Sequence, residues 1–276
     1  MAKIRNSGTI INTDYQFAKM IDGSITNVVI PSSVSVIKSG IFSSMSKLEY
    51  VYIPKNVKKI NQGAFSGCTS LKDITFENNS VTSMNNAAFY GCTSLEEVNL
   101  PEGLTTIGET CFQACTLLQK VIIPTTITSF ERKNNFEGCT TLKYVFFKGN
   151  TPITSNINIG LFFNCNNIRL FDMRYMLKAK DKSTGYTFLA NNVYLYINVP
   201  DNLYSQFTAL TNWSALTLKR WVHSCDVASF EEIENPIDGD YYSLKGDTNY
   251  LNPLGEKQID IRQYVGGSWV EVDIDA

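Results

Sequence analysis

Two stretches of this chain, "GAFSGCTSLKDITF" at 63–76 and "AAFYGCTSLEEVNL" at 87–100, say nearly the same thing. They belong to a longer series. Aligning on the phenylalanine gives Phe42, Phe65, Phe89, Phe112, Phe136 and Phe162, at spacings of 23, 24, 23, 24 and 26 residues. Three residues further on stand Met45, Cys68, Cys92, Cys115, Cys139 and Cys165, and three beyond those come Leu48, Leu71, Leu95, Leu118, Leu142 and Ile168. A unit of this length cannot bury its own apolar side, so its neighbours in sequence must do so by stacking. The repeat therefore excludes most globular folds and leaves an elongated stack of similar coils.

The aliphatics open the segments "LEYVYI", "LKDITF", "LEEVNL", "LQKVII", "LKYVFF" and "IRLFDM". In the first, the alternation sends Leu48, Val51 and Ile53 inward and leaves Glu49, Tyr50 and Tyr52 outside. Proline follows several of them, at Pro31, Pro54, Pro101 and Pro124, where the missing N–H ends the ladder and turns the chain away. A hydrophobe at Ile37, Ile60, Met84, Ile107 or Phe130 completes the unit. A short strand recurring once per unit, at a period within the range of roughly 20 to about 29 residues, marks a leucine-rich-repeat solenoid. The expected fold class is an α/β solenoid with one parallel sheet of about eight strands, counting "ITNVVI" at 25–30 and "VYLYINVP" at 193–200, and a small β-rich C-terminal module. At roughly 4.8 Å per strand such a sheet is about 35 to 40 Å long, the size of a binding platform.

The wording of "IPSSVSVIKSGIFSSMSKLEYVYIP" and "IPKNVKKINQGAFSGCTSLKDITF" resembles the BspA-like leucine-rich repeats, over about residues 25–173 and an end unit to about 220. Departures are Glu77 in place of proline, Met45 in place of cysteine, and an extra residue in each of "FERKNNF" and "FENNSVTSM". The resemblance implies non-enzymatic binding, often adhesion to host proteins or cell surfaces. In "VYLYINVPDNLYSQFTALTNW" it implies a last strand and short helix that close the stack. Asp201 is placed to cap that helix, Leu203, Phe207 and Leu210 share one face, and Phe207 and Trp213, with Trp221 as a further candidate, cover the open core. The expected domains are 1–24 as an N-terminal cap or anchor carrying Phe17 and Met20, 25–221 as the solenoid, and 222–276 as the C-terminal module.

Five of seven cysteines hold one repeat position, which invites a metal string or a disulfide ladder. Methionine in the same slot can neither bridge nor bind metal as a thiolate does, so the slot asks for a soft, medium-sized hydrophobe and the thiols are expected buried and reduced. Cys111 and Cys225 lie outside the register, and no C-x2-C zinc spacing occurs. No metal or other cofactor is expected. The only histidine, His223 in "RWVHSCDV", has no nucleophile motif beside it, and the neighbouring Cys225 makes only a weak case for a dyad. Phosphate loops are absent, and Glu96-Glu97 and Glu231-Glu232 read as solvated charge. An enzyme is the poorest of the functional classes.

Charge narrows the partners further. A formal net charge of -2 and a pI near 5.6 give no basic footprint for nucleic acid. No stretch approaches the roughly 18 apolar residues of a spanning helix, and Ser7, Thr9, Asn12 and Asp14 interrupt any signal-type apolar run. From about residue 224 the repeat disappears: "NPIDGDYYSL" reads as a turn and strand, and "IRQYVGGSWVEV" as a hairpin turning at Gly266-Gly267. The residues Gly239, Asp240, Tyr241, Tyr242, Tyr264, Gly266, Gly267, Ser268, Trp269 and Val270 resemble short modules of bacteriophage fibre and decoration proteins, which implies a virion component. The alternative is a secreted or cell-surface adhesin, which would have to be exported, and a plain packed hairpin accounts for the same aromatics.

The outward strand positions form two rows. One runs Asn27, Tyr50, Asp73, Glu97, Lys120, Tyr144, Leu170, and the other Val29, Tyr52, Thr75, Asn99, Ile122, Phe146, Asp172. Tyr144, Phe146, Ile122 and Lys120 are expected to form an apolar patch with a charged edge, flanked by Thr75, Glu97 and Asn99, with Tyr50 and Tyr52 some rungs away. This surface is the expected site for a protein or glycan on a cell surface; Tyr241, Tyr242, Tyr264 and Trp269 are a second candidate. The C-terminal module or a neighbouring subunit could instead cover the late-rung patch; other virion proteins or further copies of the chain are the remaining expected partners.

Overall fold

The computed structural model describes residues 9–10, 24–127, 129–130, 134–149, 161–175, 195–209, 220–251, 254 and 259–275. In chain order the strands are β1 (Thr9–Ile10), β2 (Asn27–Val29), β3 (Val36–Ile37), β4 (Tyr50–Ile53), β5 (Lys59–Ile60), β6 (Asp73–Phe76), β7 (Ser83–Met84), β8 (Glu97–Asn99), β9 (Thr106–Ile107), β10 (Lys120–Ile123), β11 (Ser129–Phe130), β12 (Tyr144–Phe147), β13 (Leu170–Asp172), β14 (Tyr196–Pro200), β15 (Arg220–Cys225), β16 (Tyr241–Leu244), β17 (Ile261–Val265) and β18 (Ser268–Glu271). The solenoid is built almost entirely of strands and turns. Its return path, where many leucine-rich repeats place a helix, consists of two-residue strands β3, β5, β7, β9 and β11, which form a second parallel ladder.

The repeated residues explain the stack. Phe42, Phe65, Phe89, Phe112, Phe136 and Phe162 lie one above another with centroids 4.9 to 5.4 Å apart and rings within 11° of parallel. The carbonyls of the first five accept the thiol of the cysteine in the following unit, from Cys68 to Phe42 (3.1 Å) through Cys165 to Phe136 (3.0 Å). All seven cysteines are free and buried. Burial pushes the Cys68 and Cys115 thiols up to about 12 and raises Cys92, Cys111 and Cys139 as well, so thiolate chemistry is suppressed along the column. Met45 fills the same slot by size alone.

The residue before the cysteine turns the corner in the left-handed region. It is glycine at Gly67, Gly91 and Gly138, all at positive φ. Ser44, Ala114 and Asn164 adopt the same conformation in the other units, at a steric cost that glycine escapes. At the extra residues of "FENNSVTSM", the side chain of Asn78 closes a local turn on Ser80 N (2.9 Å) and Asn79 Oδ1 accepts Glu102 N (3.0 Å). The Asn79 carbonyl lies where a Cβ on Gly103 would be, so only glycine fits there.

The main ladder has two parts. One contains β1, β2, β4 and β6; the other runs from β8 through β10, β12, β13, β14, β15 and β16 to β17 and β18, with no backbone pairing between β6 and β8 among the described residues. The C-terminal segment continues this second part. β15 and β16 are parallel rungs in register, Asn198 against Val222 and Val222 against Tyr241, and β17 and β18 add an antiparallel hairpin turned by Gly266 and Gly267, both at positive φ. The position 222 expected as a domain boundary falls inside β15.

At the end unit, Asp201 opens a 3-10 turn leading into α1 (Tyr204–Ala209) without capping it; Pro200 is the cap residue and makes no side-chain bond. Leu203 is buried and Tyr204 and Trp221 pack against the core. The caps expected from Phe17, Met20, Leu210 and Trp213 lie outside the described residues, as does the Phe207 side chain.

Candidate binding groove on the main sheet

The outward rows take the register expected of them, Tyr50 against Asp73, Tyr52 against Thr75, Lys120 against Glu97 and Ile122 against Asn99. The structure then divides them. On the late rungs Ile122, Tyr144, Phe146, Leu170, Tyr196 and Val222 form a second apolar cluster with Tyr250, Ile259, Ile261 and Ile274 of the C-terminal segment. Phe146 stacks on Tyr250 at 5.0 Å, and the Tyr144 hydroxyl donates to Asp275. The expected ligand patch is therefore interior: Lys120, Ile122, Tyr144 and Phe146 are 0%, 6%, 3% and 2% exposed. Apolar outward residues on a sheet demand a cover, and this chain carries its own.

A buried polar staple fixes that cover. Arg174 folds back onto Asp172, with Nε and Nη2 at 2.9 and 2.6 Å from Oδ2, and its Nη1 donates to the carbonyls of Leu244 (2.9 Å) and Asp247 (3.0 Å). Asn198 donates to Asp172 Oδ1 (3.0 Å) and accepts from Ser243 (3.0 Å). Asp247 in turn holds the amides of Asn249 and Asp260. Sequence reading assigned no role to Arg174; the one available signal was an arginine two residues after an outward Asp172.

Among the described residues nothing covers the early rungs as the C-terminal segment covers the late ones. Tyr50, Tyr52, Thr75 and Glu97 are half-buried and Asn99 is exposed. Beside them, where the ladder is interrupted between β6 and β8, a groove of about 540 Å³ is lined by Tyr50, Lys72, Asp73, Glu96, Glu97, Asn99 and, from the covering segment, Leu251 and Leu254. Glu96 and Glu97 both line this groove; Glu96 is exposed, as a solvated charge is, while Glu97 is half-buried beside Lys120. Thr75 donates to Asp73 Oδ2 (2.9 Å), Lys72 pairs with Glu49 (3.2 Å), and buried Lys120 pairs with Glu97 (3.3 Å). Burial lowers the Lys120 pKa, with Glu97 opposing the shift. Burial and the adjacent Glu77, with which the phenol is hydrogen-bonded, raise the Tyr52 pKa. Lys72, Leu251 and Leu254 were not anticipated, since they come from a strand flank and a distant loop.

The second candidate group is largely spent within the fold. Tyr242 is buried, and Trp269 packs on Tyr264 (4.8 Å), Tyr242 (5.3 Å) and Phe230 (5.4 Å); Tyr241 meets Tyr196 edge-on at 5.5 Å. These aromatics pack on one another around the hairpin, with Tyr241, Tyr264 and Trp269 half-buried. His223 is sandwiched between Tyr204 (3.5 Å) and Tyr242 (4.7 Å), with Nδ1 at 2.8 Å from Asp201 and Nε2 at 3.2 Å from Asp240. Both ring nitrogens face carboxylates, and burial pushes the Cys225 thiol up to about 12, the wrong direction for a nucleophile. Among the described residues no helix is long and apolar enough to cross a membrane, and no group of three His, Cys, Asp or Glu is arranged to hold a metal ion.

Comparison with known proteins bears on the repeat. The model of the BspA type leucine rich repeat region matches in six copies, over residues 9–143 and 78–184, and so stops before the covering segment. A leucine-rich repeat protein of T. pallidum is 26% identical over 45% of this chain and 71% of its own, with a TM-score of 0.38. One from Bacteroides ovatus is 22% identical over 74% and 67%, with a TM-score of 0.39, and one from Eubacterium ventriosum 15% identical over 71% and 61%, with a TM-score of 0.45. No curated protein matches the chain.

Proposed function

Since the chain belongs to the BspA-type leucine-rich repeat proteins, we propose that it is a non-enzymatic binding protein whose uncovered early rungs meet a protein partner. The observation that carries this reading is the division of one sheet face: the late rungs are sealed by the chain itself, while Tyr50, Tyr52, Thr75, Glu97 and Asn99 remain accessible beside a groove. Tyrosines supply contact area at small entropic cost, and the polar row supplies orientation.

The test is binding of the labelled chain to arrays of surface proteins and of glycans. Tyr50→Ala with Tyr52→Ala is expected to remove the protein signals, while Leu117→Ser on an exposed turn elsewhere leaves them. Signals that survive the tyrosine double variant would place the binding surface elsewhere. Attachment from a virion and from a bacterial surface are both served by this face; immunogold labelling of virions and of intact cells separates the two locations.

A further inference from the structure

We propose that the groove receives Lys or Arg side chains of a basic polypeptide segment, seated between the Tyr50 ring and the carboxylates of Asp73 and Glu96. This rests on the reading above and names the partner's chemistry. Three carboxylates, Asp73, Glu96 and Glu97, line the groove with one ammonium group, Lys72, which pairs with Glu49, while buried Lys120 pairs with Glu97. Among the described residues Asp73 and Glu96 have no ion-pair partner, and the Asp73 carboxylate accepts the Thr75 hydroxyl. The apolar wall of Leu251 and Leu254 suits the aliphatic stem of a long cation, and Tyr50 offers a ring face.

An independent observation comes from the covered half of the same face. There the chain supplies its own cover, and arginine answers both kinds of outward group. Arg220 lies over the Tyr196 ring at 5.1 Å, and Tyr196 occupies the same outward row as Tyr50. Arg174 neutralises Asp172, in the other row, while standing 5.7 Å from the Tyr250 ring. On the open half Tyr50 holds the position equivalent to Tyr196, with Asp73 beside it in the same row, and the cation is what a partner brings. The interruption of the ladder between β6 and β8 lies in the same place.

The experiment is fluorescence anisotropy of the full chain with a labelled Lys/Arg-rich peptide, a neutral peptide of equal length and a neutral oligosaccharide. The basic peptide is expected to bind tightest, to weaken as salt rises from about 50 to about 300 mM, and to lose about tenfold in affinity on Asp73→Asn with Glu96→Gln. Tyr50→Ala is expected to lose severalfold, and Glu234→Gln, an exposed carboxylate off the groove, nothing. Equal binding of basic and neutral peptides, tighter binding of the oligosaccharide, or indifference to the carboxylate variant overturns the proposal. If the peptide fails while the tyrosine double variant still abolishes array binding, the cation assignment falls and the face remains the binding surface; if that variant changes nothing either, both fall.

Discussion

Replacing Arg174 by methionine tests whether the C-terminal segment is held by its buried staple. The guanidinium is 0% exposed and makes four hydrogen bonds from its side chain: two to Asp172 and one each to the carbonyls of Leu244 and Asp247. Methionine keeps most of the volume but strands the Asp172 carboxylate, itself 2% exposed, with Asn198 as its remaining side-chain donor. Breaking a buried pair from one side costs about 3 to 5 kcal/mol. The loss falls first on the cover, because two of the four bonds end on it. The readout is native-state hydrogen exchange at the amides of Lys245, which donates to Cys225, and Asp260, which donates to Asp247. With each decade worth about 1.4 kcal/mol, both are expected to lose about two to three and a half powers of ten in protection. Amides of the early coils, such as Phe65 bonded to Ala88, are expected to change little. Adding Asp172→Asn removes the stranded charge and is expected to restore at least half of the loss. Unchanged protection at Lys245 and Asp260, or a double variant worse than the single one, would refute the reasoning.

Phe112→Ala, in the middle of the aromatic stack, is expected to cost about 3 to 5 kcal/mol in urea denaturation, since rings on both sides lose contact. Ala114→Gly relieves the left-handed corner that glycine occupies in three other units and is expected to raise stability by up to about 1 kcal/mol. In the folded chain all seven thiols are expected to resist a thiol reagent at pH 8, and all seven to react in denaturant without reductant; fewer in denaturant would mean disulfides. Although burial opposes ionisation, Lys148 and Thr125 hold the Glu102 carboxyl below its ordinary value of 4.5. Its stabilisation is therefore present above the unfolded value and is lost as pH falls through the folded one, so Glu102→Gln is expected to flatten the acid side of the pH–stability profile below about 4.5.

The coil is legible in the repeat. A period near 24 with Phe, Cys and Leu at constant offsets states which side chains face inward, and Leu48, Val51 and Ile53 are buried as their spacing requires. It determined the cross-strand register too, because identical offsets in neighbouring units place Tyr50 beside Asp73 and Lys120 beside Glu97. Both are consequences of local, repeated interactions, and a repeat makes the neighbour of each residue readable from the text. The fate of the outward face depends on long-range packing. The contacts between Phe146 and Tyr250, Tyr144 and Asp275, and Arg174 and Asp247 join residues 73 to 131 positions apart, and nothing periodic announces them. The change along the outward rows from Tyr50, Asp73 and Glu97 to Ile122, Phe146 and Leu170 shows that a cover is needed; which segment provides it depends on where the non-repeating end of the chain packs. The groove is a product of that same choice. Its floor is written in the repeat, while its wall at Leu251 and Leu254 exists because apolar burial of Tyr250 and Ile259 draws the segment across the late rungs and stops short of the early ones.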